Sequence, residues 1–109
     1  MRIDNHYTMG LLNFLFGNKT KNIQEFKERG AVLLDVRTKE EWNKGHIEGA
    51  KHIPVQEVSA KISEIKKWDK PVITYCASGM RSGNAAKTLN KHGVEAINGG
   101  GWKSLQNKL

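Results

Sequence analysis

The stretch Pro71-Val-Ile-Thr-Tyr-Cys76-Ala-Ser-Gly-Met-Arg81-Ser-Gly-Asn-Ala-Ala86 leaves the chain few architectures to choose from. Val72 to Tyr75 is an apolar, β-branched run that ends abruptly at the only cysteine. Bounded by a proline and a short glycine-containing loop, such a run reads as a buried strand. Ser82 to His92 then has helical composition. Strand, tight loop and helix in that order bring backbone N–H groups at the helix start to one point. A cysteine placed there has a reason to ionise, because the helix N-terminus and the cation Arg81 both favour the thiolate, the nucleophilic form. The alternative for a lone cysteine after a buried strand is a small core residue. The loop argues for the first reading: Gly79 permits positive φ, Arg81 is a permanent cation, and Ser82 is placed to cap the helix. Packing alone requires none of the three.

The rest of the chain repeats the pattern of short apolar runs and helical stretches. Asn22-Ile-Gln-Glu25 reads as a capping-box variant opening a helix that Gly30 ends. Ala31 to Leu34 is a continuous apolar run, as in a strand buried on both faces. Thr38-Lys-Glu-Glu41 is a second capping box, with Gly45 as the stop. Ala50 to Ile53 is a short strand closed by Pro54, and Val58, Ile62 and Ile65 at helical spacing predict a helix over 56–67. Ala85, Ala86 and Leu89 mark the buried face of the helix after the cysteine loop. Val94 to Ile97 is the last strand, and Gly99-Gly-Gly-Trp102 turns into a short terminal helix. Strands alternating with helices at this spacing predict an α/β fold with a mostly parallel sheet. Ligands in such sheets bind beyond the carboxyl ends of the strands, which is where Cys76 sits.

A chain of 109 residues supports one core and not two. Residues 18–109 form the predicted domain, and residues 1–17 an N-terminal extension whose apolar part, Met9 to Phe16, is expected to dock on it. That part is far shorter than the ~20 residues a membrane span needs. It also lacks the features of a secretory signal, so no membrane association is expected. One cysteine excludes an internal disulfide framework and a multi-cysteine metal site, and a free thiol fits a reducing, cytoplasmic compartment. The net charge is +7. The basic residues are scattered without aromatic interleaving, which argues against nucleic acid and leaves a small anion or an acidic partner. His6, His52 and His92 have no partner at metal-ligand spacing, so neither metal nor cofactor is expected.

Cys76-Ala-Ser-Gly-Met-Arg81-Ser82 resembles the active-site loop of rhodanese-like sulfurtransferases. Two further segments agree with that family's signatures: Leu34-Asp35-Val36-Arg37 followed by Glu41-Trp42, and Gly45-His46-Ile47-Glu48-Gly49-Ala50 leading to Ile53-Pro54. Together they extend the resemblance over roughly residues 20 to 109, in the family's order. The resemblance implies the rhodanese fold, a five-stranded, mostly parallel sheet with helices on both faces, in a single-domain enzyme or, as the alternative, in a sulfur-relay or protein-interaction module without turnover; a monomer is expected. It also implies that Cys76 takes sulfane sulfur from a donor such as thiosulfate or a persulfide. A thiol, cyanide or a partner-protein thiol would then accept it.

In that chemistry a thiolate attacks the sulfane sulfur, holds it as a persulfide and is relieved of it by the acceptor. Backbone N–H groups from Ala77, Ser78, Gly79, Met80, Arg81 and Ser82, curved around the sulfur, stabilise both anions without an acid–base residue. Arg81 is expected to orient an anionic donor. Cysteine phosphatases place their arginine six positions after the cysteine, whereas Arg81 lies five after Cys76, a ring suited to one sulfur atom. Asp35 and Arg37 read as structural support: Arg37 pairing with Glu41, and Asp35 bonding backbone N–H groups. His46 resembles the family's signature histidine, which implies a role in ordering the loop below the site. Trp42 is expected in the core, and Trp68 is expected to shield it. Ala77, Ser78 and Met80 are uncharged where thiosulfate-efficient relatives carry Arg or Lys, which counts against thiosulfate as the donor. Leu105 stands where a second aromatic is frequent, a change of packing only.

Overall fold

A computed structural model describes residues 22–109. The extension read over residues 1–17 and the start of the domain lie outside the described residues.

Each element follows from local chemistry. Helix α1, Ile23–Glu28, is capped by Asn22, whose side-chain oxygen accepts from the Glu25 N–H at 2.8 Å. Strand β1, Val32–Asp35, leads to Thr38, which caps α2, Lys39–Lys44. Here the capping box is complete: Glu41 N–H donates to Thr38 Oγ1, and Thr38 N–H donates to the Glu41 carboxylate. Strand β2 is the short Lys51–His52. The predicted helix over 56–67 is instead broken into two 3₁₀ turns, Val55–Glu57 and Ser59–Lys61, and a short α3, Ile62–Lys66. Lys61, at φ −112° and ψ 15°, leaves helical geometry and makes the break. Val58, Ile62 and Ile65 nevertheless pack on the same cluster, so the apolar spacing is used although the helix is not continuous.

Strand β3, Val72–Cys76, is buried at every position. It is followed by α4, Met80–Lys91, the longest helix among the described residues. Strand β4 covers Ala96–Gly101 and runs through the glycines expected to form a turn, before α5, Trp102–Lys108. All pairings are parallel, in the order β2-β1-β3-β4. Four strands are present among the described residues, against the five of the expected fold.

Alternation along β3 divides the core in two. Val72 and Cys76 face α4 and Ile65 of α3 with Leu34, Ala85 and Leu89. Ile73 and Tyr75 face α1 and α5 with Phe26, Ile47 and Leu105. Leu105 is fully buried there, so packing is indeed its role. Trp68 packs against the first cluster with the Lys51 ammonium over its ring. With helices on both faces, the carboxyl ends of β1, β3 and β4 lie side by side, and Asp35, Cys76 and Gly101 stand there.

Candidate active site

Cys76 ends β3 and its side chain turns toward the first turn of α4. Gly79 makes that turn possible: at φ +106° it caps α4, a conformation that strains any residue with a Cβ. The helix therefore starts two residues before the predicted Ser82. Ser82 is not the cap but the third residue of the helix, fully buried. The backbone N–H groups of this first turn lack helical partners, and the sulfur takes their place. Gly79 N–H donates to Sγ at 3.0 Å and Ser82 N–H at 3.4 Å. The Ser82 hydroxyl lies 3.2 Å from the sulfur. Thr74, two residues before the cysteine on the same face, donates its hydroxyl to the Ser82 carbonyl at 2.8 Å and ties the helix start to the strand.

Burial pushes the Cys76 thiol up, but the Ser82 hydroxyl and the N–H groups of Ser82, Gly79 and Ser78 outweigh it and hold the thiol below its ordinary range. The hydroxyl has a second partner, Asn98 Oδ1, at 2.7 Å. Asn98 is itself fixed, donating from Nδ2 to the Gly79 carbonyl at 2.9 Å and accepting from Gly100 N–H at 2.9 Å. A hydroxyl carries one proton. With a neutral thiol, S–H donates to Ser82 and Ser82 donates to Asn98. With a thiolate, the hydroxyl turns to the sulfur and Asn98 keeps Gly100. Both charge states are thus accommodated without moving the backbone.

Two glycines of β4 set the loop's position from behind. A Cβ on Gly101 would stand 2.7 Å from the Ala77 carbonyl oxygen, and one on Gly99 would stand 2.8 Å from Ile73 Cγ2 and from the Thr74 carbonyl oxygen. Only residues without a side chain let β4 approach the cysteine loop this closely. Ala77, Ser78 and Met80 form the exposed rim.

The charged residues pair differently from expectation. Arg37 does not meet Glu41. Its guanidinium forks onto Asp35, with Nη2 to Oδ2 at 2.7 Å and Nε to Oδ1 at 3.0 Å, and Nη2 also donates to the Gly45 carbonyl at 2.6 Å. Both residues are buried, and a buried carboxylate two residues away outcompetes one on the next helix. Asp35 also accepts from the Arg37 N–H at 2.8 Å, which is the backbone bond expected of it. Glu41 is therefore left to Arg81, in a two-pronged pair with Nη1–Oε1 at 2.8 Å and Nη2–Oε2 at 3.0 Å. Arg81 and the Thr38 N–H hold the Glu41 carboxyl down at about 2.

Trp42 is half-buried rather than in the core. Its ring stacks with that of His46, centroids 3.4 Å apart, and with that of His52 at 4.9 Å. His46 Nδ1 lies 2.9 Å from the Trp42 carbonyl, and His52 Nε2 lies 2.8 Å from that of Arg37. Cys76, Gly79 and Ser82 thus meet at the sulfur, with Arg81 beside them in the same helical turn and Glu41 on Arg81; Asp35 and Arg37 pair with each other, and His46 stacks on Trp42. Thr74 and Asn98 carry no signal in their immediate neighbours. The signal for Asn98 is topological: it lies near the carboxyl end of the strand next to the cysteine strand.

The chain belongs to the rhodanese-like family, whose domain model matches residues 19–108. It is 42% identical over 95 residues to protein YqhL of Bacillus subtilis, covering 84% of this chain and 75% of that protein. With the thiosulfate sulfurtransferase PspE of Escherichia coli it shares 34% identity over 74 residues, 66% of this chain and 71% of that one. The human single-domain sulfurtransferase TSTD1 superposes with a TM-score of 0.61 at 28% identity, covering 76% of this chain and 86% of that structure. Other relatives are longer: the putative sulfur carrier protein YrkF of Bacillus subtilis is 42% identical over 65 residues, 60% of this chain but 35% of that protein. The relatives place the chain, at the level of class, among rhodanese-type sulfurtransferases. No helix among the described residues is long and apolar enough to cross a membrane.

Proposed function

We propose that the protein is a sulfurtransferase that carries sulfane sulfur as a persulfide on Cys76. The observation that carries this reading is the sulfur at the centre of the α4 first turn, faced by the Gly79 and Ser82 N–H groups and the Ser82 hydroxyl. These donors lower the thiol pKa and are equally suited to a persulfide anion. In the first half-reaction the thiolate attacks a sulfane sulfur, the new S–S bond forms, and the donor leaves with the electron pair of the bond it loses. In the second, an acceptor thiolate or cyanide attacks the outer sulfur and Cys76 departs as thiolate. No proton has to be moved by a base, which matches a sulfur cradled by N–H groups and one hydroxyl. The acceptor is a small thiol, cyanide or a partner-protein thiol, and the reducing cytoplasm is the setting that suits a lone thiol. The relationship to a putative sulfur carrier favours a second reading, relay to a partner without turnover on small molecules.

Intact-mass measurement tests the proposal. Treatment with thiosulfate or a polysulfide is expected to add one sulfur atom, which cyanide, a small thiol or a reductant removes. Cys76→Ser is expected to fold and never load. Failure of the wild-type protein to gain sulfur from any donor overturns the proposal. Turnover with excess small-molecule acceptor separates the enzyme from the relay.

A further inference from the structure

We propose that Glu41 is an electrostatic gate on the donor: by cancelling the Arg81 charge at the mouth of the cradle, it selects an organic persulfide with an apolar body over small dianions such as thiosulfate. The inference deepens the sulfurtransferase reading and rests on it for the nature of the donor.

Three observations converge on it. The Glu41 carboxylate is held by four donors: two from Arg81, and the N–H and hydroxyl of Thr38 on Oε1. It is therefore not a side chain that swings away when a substrate arrives. The Arg81 guanidinium, carried by the residue next to the Ser82 that faces the sulfur, is consequently half of a neutral pair. Secondly, the remaining cradle donors are neutral dipoles, the N–H groups of Gly79 and Ser82 and one hydroxyl. Such dipoles suit a single sulfur anion but leave a sulfonate dianion without a counter-charge beside a fixed carboxylate. Thirdly, the rim of Ala77, Ser78 and Met80 is uncharged where a cation would serve a dianion. Met80, the first residue of α4, is 79% exposed, and a thioether displayed beside a nucleophile is an adaptable seat for an apolar group.

The step balances without any further reagent. The Cys76 thiolate attacks the outer sulfur of R–S–SH, a new S–S bond to Cys76 forms, and the S–S bond of the donor breaks. R–S⁻ leaves with the electron pair, and the proton stays on the transferred sulfur. R rests on Met80, and at most one negative charge enters.

The test compares the full-length wild-type protein with Glu41→Gln and Met80→Arg. Glutamine keeps an oxygen for the Thr38 capping box while removing the charge. Met80→Arg adds a cation at an exposed position without touching Glu41. Loading of Cys76 is measured from thiosulfate and from n-butyl persulfide, and a parallel arm measures alkylation by anionic iodoacetate against neutral iodoacetamide. Wild type is expected to load faster from butyl persulfide. In each variant the thiosulfate-to-persulfide ratio of kcat/KM is expected to rise at least fivefold, mainly through KM for thiosulfate. The iodoacetate-to-iodoacetamide ratio is expected to rise at least threefold, of the order of one unit charge near a partly hydrated site. Unchanged ratios in Glu41→Gln overturn the gate, whatever Met80→Arg does. An alkylation ratio that rises while no form of the protein loads sulfur upholds the gate and sinks the sulfurtransferase reading instead.

Discussion

Ser82 shows what one residue contributes at this site. Its hydroxyl and N–H both face the Cys76 sulfur, and Asn98 holds the hydroxyl in place from the other side. Replacing it by alanine removes one hydrogen bond to a charged group, worth ~1.5–3 kcal/mol, or about one to two pH units in the thiol titration. Ser82→Ala is therefore expected to shift the iodoacetamide pH–rate profile to higher pH by about that much, while the maximal rate of the fully ionised thiol is retained. An unshifted profile would assign the lowered pKa to the backbone alone. The same lowering links to stability. Between the folded and unfolded thiol pKa values the unfolded chain binds more protons, so stability rises with pH across that window. It is lost as pH falls through the folded value. The stability advantage of wild type over Cys76→Ser is thus expected to grow as pH approaches the ordinary thiol value near 9.0, and to level off above it. Denaturant titrations at several pH values measure this.

At the scale of elements, the cysteine loop is held between the start of α4 and the glycine run of β4. Gly100 and Gly101 separate two effects that adjacent glycines ordinarily confound. Gly100 has φ +88° and open space where a Cβ would go, so alanine there meets only backbone strain, about 1 kcal/mol. Alanine at Gly101 meets the Ala77 carbonyl at 2.7 Å, and one of the two must move. Gly101→Ala is expected to slow Cys76 alkylation at neutral pH about tenfold or more, with a stability loss of ~1–3 kcal/mol. Gly100→Ala is expected to lower stability alone. Thermal melts and alkylation rates on both variants check the contrast, and equal alkylation rates would show that the loop tolerates displacement by β4.

For the whole molecule, the buried Asp35–Arg37 pair is the junction of several elements. Arg37 forks onto the end of β1, donates to the Gly45 carbonyl after α2, and lies 4.7 Å from the Trp102 ring at the start of α5. Its own carbonyl meets His52 of β2. Burying such a pair adds little stability by itself, but breaking it leaves a buried charge and costs about 3–5 kcal/mol. Arg37→Met is expected to lower unfolding stability by that amount, and the double variant with Asp35→Asn to recover part of it. A loss below about 1 kcal/mol would mean that water reaches Asp35.

Features decided within a few residues are legible in the sequence alone. Asn22 and Thr38 cap their helices because the partner donors lie three residues on. Gly45 ends α2, and the strand–loop–helix around Cys76 follows from a β-branched run, one glycine and a helical stretch. What the sequence could not decide was competition. Arg37 had two acidic partners at short range, and burial at the end of β1 chose Asp35. Glu41 then went to Arg81, forty positions away, because the parallel order β2-β1-β3-β4 brings those strand ends to one edge. Ser82 has the composition of a cap, yet Gly79 took that position by adopting positive φ, which freed Ser82 to face the sulfur. Asn98 and Thr74 entered the site for the same reason: sheet register, not spacing in the chain, sets which side chains meet the helix start. Local hydrogen bonds are written in neighbouring residues, whereas the choice among charged and polar partners is made only when packing has settled which of them lose water.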